Sequence, residues 1–70
     1  MTNTKKLNEI IKNSGLKKKY IAEQIGRTPY GFALKLSGKH EFTASEIKKL
    51  CELLSITDKK EILEIFLGNE

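Results

Sequence analysis

Apolar residues recur at helical spacing in five successive stretches of the chain. Leu7, Ile10 and Ile11 stand at i, i+3 and i+4 and predict a helix over about 5–13, with Thr4 as its cap. Lys5, Lys6, Glu9 and Lys12 fall on its wet side, and Asn13-Ser14-Gly15 ends it. Ile21, Ala22 and Ile25 share one face of a second helix over 18–25. Phe32 and Leu36, four apart, share a face of a third over 29–37. Thr43-Ala44-Ser45-Glu46 has capping-box spacing and opens a fourth helix, whose stripe is Ile47, Leu50, Cys51 and Leu54. Thr57 or Asp58 caps a fifth, which carries Ile62, Leu63, Ile65, Phe66 and Leu67. Ile62 and Phe66, with Ile65, make its docking face, and Leu16, Phe42 and Ile56 complete the predicted core. Leu63 and Leu67 then point away from that core. Two readings stay open for them: a weak dimer face, or exposed leucines on a frayed terminal helix.

The segment 16–38 organises the rest. Gly26 follows Ile25 at once, where a helix end needs a left-handed residue. Thr28 suits an N-cap, and Pro29 suits the first helical position, where its missing N–H is no loss. Ala22 is small enough for two helices joined by a short turn to cross closely. Leu16, Ile21, Ala22, Ile25, Gly26, Phe32, Leu36 and Gly38 together resemble the helix-turn-helix of phage repressor/Cro-type transcription regulators. The likeness runs on through Phe42, Thr43 and Glu46, nearly the whole chain. It implies an all-α fold of five short helices, similar to the lambda-repressor DNA-binding domain, with one domain over 1–70. It further implies a cytoplasmic regulator that binds double-stranded operator DNA as a homodimer, its third helix in the major groove. On that resemblance Thr28, Pro29, Tyr30 and Leu34 lie at or near base-contacting positions, and Lys17 and Lys18 match positions that grip phosphate. Helical geometry adds Ala33 to the outward face. Lys35 beside the buried face, Arg27 in the turn and Lys39 after Gly38 are further phosphate candidates.

Two departures change the picture. Direct readout of bases relies on Arg, Lys, Gln and Asn, but the outward side of the third helix offers Pro29, Tyr30, Gly31, Ala33 and Leu34. An aromatic anchor with apolar neighbours and a basic rim equally suits a protein partner. The alternative function is therefore an antirepressor or modulator that binds a phage repressor protein through the same helix. The second departure is the run Lys17-Lys18-Lys19 at the start of the second helix, where positive charge opposes the macrodipole. Either a bound phosphate offsets that cost, or three exposed lysines are simply tolerated.

Composition narrows the rest. Seventy residues allow one modest core. The formal charge of +4 is unevenly spread. Residues 1–40 hold nine basic and two acidic side chains, a formal +7, and residues 41–70 hold four and seven, a formal −3. The basic half is the one with the helix-turn-helix pattern, as a polyanion-binding surface requires. A single cysteine, Cys51, allows no internal disulfide and fits a reducing cytosol. No apolar run reaches the length of a membrane span and no signal peptide is expected. His40 in a loop and Cys51 in an apolar stripe give catalysis little to work with. The glycines form no phosphate-binding loop, and no spacing suggests a metal. No enzyme activity, cofactor or small-molecule substrate is expected.

Overall fold

A computed structural model describes residues 2–67. Among them the chain is all-helical: α1 (Thr4–Ser14), α2 (Lys18–Gln24), α3 (Pro29–Leu36), α4 (Ala44–Leu53) and α5 (Lys59–Phe66). Each predicted helix is present, with ends displaced by about a residue. The cap of α1 is Asn3, not Thr4: the Asn3 side chain accepts the Lys6 backbone N–H at 3.1 Å, and Thr4 is already helical. Asn3 is also held from outside, because its own N–H donates to the Ile65 carbonyl of α5. Asp58, not Thr57, caps α5, accepting from the Lys60 N–H. Thr43 and Glu46 form both bonds of the expected capping box on α4.

Gly26 and Ser55 show how the turns are made. After α2, Gly26 adopts φ +78° and the Arg27 N–H reaches back to the Ala22 carbonyl, which ends the helix and reverses the chain. Ser55 plays the same part after α4 at φ +58°, with the Ile56 N–H on the Cys51 carbonyl. A serine holds that left-handed position at a steric cost a glycine would avoid.

The helices enclose a core that includes Leu7, Ile11, Ile21, Ala22, Ile25, Phe32, Leu36, Leu50 and Cys51. Phe42, in the segment between α3 and α4, closes it. Its ring meets Phe32 edge-on at 6.2 Å and Phe66 edge-on at 5.9 Å, spacings at which aromatic pairs attract beyond their buried area. Ile10, Leu16, Ile47, Leu54 and Ile62, expected in the core, are half-buried at its rim. Ile65 is the residue of α5 that is fully buried. The docking face of α5 is the expected one, with Ile65 and Phe66 buried and Ile62 at the rim, and the Asn3–Ile65 bond and the Lys6–Glu64 ion pair at 2.9 Å tie it to the start of α1. No helix of the described residues is long and apolar enough to cross a membrane.

Candidate nucleic-acid interface

Phe32 and Leu36 are buried, and with them they set the rotation of α3. At about 100° per residue, the side opposite that pair is centred near Tyr30 and Leu34, with Ala33 and Ser37 alongside. Tyr30 is 75% exposed, Pro29 and Ala33 are exposed, and Leu34 is half-buried. Thr28 caps the helix: its Oγ1 accepts the Gly31 N–H at 3.0 Å. A Cβ at Gly31 would lie 3.2 Å from that oxygen, so the glycine leaves room for the cap.

The cationic candidates divide into two groups. Lys18 is brought to the flank of α3: it lines a shallow recess with Pro29, Ala33 and Ser37, floored by Phe32 and Leu36 and closed by Asn8 of α1, beside the outward side but without Tyr30 or Leu34. Lys17 precedes it as the N-cap residue of α2, exposed and with no side-chain bond to the helix. Lys39 is exposed just past the end of α3, its N–H bonded to the Leu34 carbonyl.

Lys35 and Arg27 end elsewhere. Lys35 is only 8% exposed, and its Nζ donates to Glu46 Oε1 at 2.6 Å and lies 5.8 Å from the Phe42 ring centre. It is therefore not free to grip a phosphate, contrary to the expectation from sequence. Arg27 donates through Nε to the other Glu46 oxygen, though its side chain remains partly exposed. Glu46 itself is 2% exposed. Burial pushes its carboxyl up, but hydrogen bonds from Lys35, the Thr43 N–H and Arg27 outweigh that and hold it at about 2. One carboxylate thus caps α4, neutralises the buried lysine of α3 and anchors the turn before α3. The sequence reading gave Glu46 only the first of these roles.

Leu63 and Leu67, the proposed dimer face, are 54% and 65% exposed and stand one turn apart on α5. Cys51 lies in the core, where burial pushes its thiol up, with Glu52 and Glu61 adding to the effect. Among the described residues, no group of His, Cys, Asp and Glu is arranged to hold a metal ion.

The chain matches no family model, and no curated protein or solved structure is significantly similar to it.

Proposed function

We propose that this chain is a small, non-enzymatic transcription regulator of phage or prophage type, with a lambda-repressor-like helix-turn-helix formed by α2, the turn and α3. It works in the cytoplasm and binds double-stranded operator DNA as a homodimer. One observation supports this above the others: Lys18 shares with Pro29, Ala33 and Ser37 a recess on the flank of α3, and Ala33 and Ser37 also border the outward side of the helix. Positive charge thus borders the outward face of a short capped helix. A major groove offers a helix that same combination, base edges between two lines of phosphate. Lys17, Lys18 and Lys39 are the phosphate contacts in this reading. Arg27 contributes through whatever reach its tie to Glu46 leaves, and Lys35 is withdrawn from the role.

The test is binding to a mixed-sequence duplex, followed by fluorescence anisotropy between about 50 and about 200 mM salt. Affinity falls steeply over that range when phosphates are neutralised, and Lys17→Ala/Lys18→Ala flattens the slope of log affinity on log salt by roughly two. Binding that ignores salt, or no binding to any duplex, defeats the reading.

The loss of Lys35 to the interior favours a second reading. It leaves the outward face of α3 without a charged side chain of its own, and Tyr30 then resembles an anchor for a protein. Such an antirepressor would bind a phage repressor, and Tyr30→Ala would abolish a co-purifying complex while the helical circular dichroism stayed intact.

A further inference from the structure

Several polar side chains around α3 are engaged within the chain, and apart from the hydroxyls of Thr28 and Tyr30 the outward surface is mostly apolar. Ser37 Oγ donates to the Leu34 carbonyl at 2.7 Å. Thr28 Oγ1 holds the Gly31 N–H of the cap. Lys35 and Arg27 meet on Glu46, on the inner side of the helix. The Asn8 amide nitrogen at the edge of the recess donates to the Thr4 carbonyl, with a longer bond to that of Leu36. The surface left to meet a base is the exposed Tyr30 ring, Pro29, the Ala33 methyl and the outer half of Leu34. Lys18 lines the recess beside Pro29 and Ala33, and Lys17 at the start of α2 and Lys39 just past α3 are exposed, ammonium groups suited to phosphate.

In the major groove the one apolar feature of a base edge is the C5-methyl of thymine. From this match we infer that α3 selects its site through thymine methyl groups, packed against Tyr30 and Ala33, and not through bidentate hydrogen bonds to guanine or adenine. Specificity then comes from burying methyls on an apolar face, while the lysines supply affinity that is blind to sequence. The Tyr30 hydroxyl is free to bond a base edge or a phosphate but cannot by itself distinguish the four pairs. This inference rests on the DNA reading above, and the experiment separates the failure of one from the failure of the other.

The full chain is used to select duplexes from a pool with a randomised central segment, and the retained duplexes are sequenced. The expected consensus is rich in thymine, with runs of adjacent thymines on one strand. The best duplex is then remade with deoxyuridine at each consensus thymine, which removes the methyl and leaves base pairing and hydrogen-bonding edges alone. Affinity drops about three- to fivefold per contacted methyl, the worth of one buried carbon. Tyr30→Ala, a change at an exposed side chain, removes most of that difference between thymine and uracil duplexes but keeps the salt dependence. If the selected duplex binds equally well with uracil, or the consensus is fixed by guanine, the inference is overturned while the DNA reading stands. If no duplex is retained at low salt, both fall.

Discussion

Replacing Glu46 by glutamine isolates the charge at the centre of the fold. Glutamine is the usual alternative to glutamate at this capping-box position, so Glu46→Gln keeps an oxygen for the Thr43 N–H and for Lys35, while it removes the anion and the acceptor that met the half-exposed Arg27. What it strands is Lys35, whose side chain is about one-tenth exposed and whose ammonium then has no counter-charge. Holding the Glu46 carboxyl at about 2 against an ordinary 4.5 corresponds to about 3 kcal/mol in favour of the charged form. Breaking a buried pair by removing one partner typically costs about 3–5 kcal/mol, which agrees. Arg27 adds little, since its side chain is nearly half exposed. A domain of this length has roughly 4–10 kcal/mol in total, so the variant is expected to be close to unfolding at neutral pH. Urea denaturation followed by far-ultraviolet circular dichroism measures the difference. Its pH dependence has a defined sign. The folded-state pKa lies below the unfolded one, so the stabilisation is present above about pH 4.5 and is lost as pH falls through about 2. The gap between wild type and variant therefore narrows over that window, while other carboxylates affect both proteins alike. Lys35→Met/Glu46→Gln recovers most of the loss, because an uncharged pair of similar size fills the same space. A cost under about 1 kcal/mol at neutral pH, a gap that stays constant on acidification, or a double variant as unstable as the single would refute the reasoning.

Further predictions concern packing and assembly. Ser55→Gly relieves the left-handed strain after α4 and raises stability by up to about 1 kcal/mol in the same urea assay; a loss would show that Ser55 is held there by something other than backbone geometry. Phe42→Ala removes the ring that meets both Phe32 and Phe66 and costs about 3–5 kcal/mol; a cost near that of a surface change would mean the loop is not part of the core. Leu63→Lys/Leu67→Lys leaves helicity unchanged and shifts sedimentation from dimer to monomer; a wild type that stays monomeric at every concentration removes the α5 dimer face.

Most of the helical framework was legible because its punctuation is chemical. Gly26, Thr28-Pro29 and Thr43 with Glu46 each state where a helix stops or starts, and the structure follows them to within a residue. The outward face of α3 was legible for the same reason that Phe32 and Leu36 were: two large apolar residues one turn apart fix the rotation of a short helix. Lys35 was misread although its angular position was available. It lies about 60° from Phe32, within the buried arc, and only its residue type argued for solvent. Its partner is eleven residues away and already had a sufficient local role as a cap, so no local pattern points to the pairing. On α5 the expected docking residues Phe66 and Ile65 are buried, Ile62 packs half-buried against the core and Leu63 and Leu67 are exposed, although five apolar residues in six positions give little polar contrast.

The edge-to-face series Phe32, Phe42, Phe66 links α3 to α5 through the segment before α4. Close-packed rings yield little to bending, so motion of α5 is passed to α3 rather than absorbed between them. Two copies joined through Leu63 and Leu67 would hold their α3 helices at a single separation. A target with two half-sites would then tolerate base changes in its spacer far better than the insertion or deletion of one base pair.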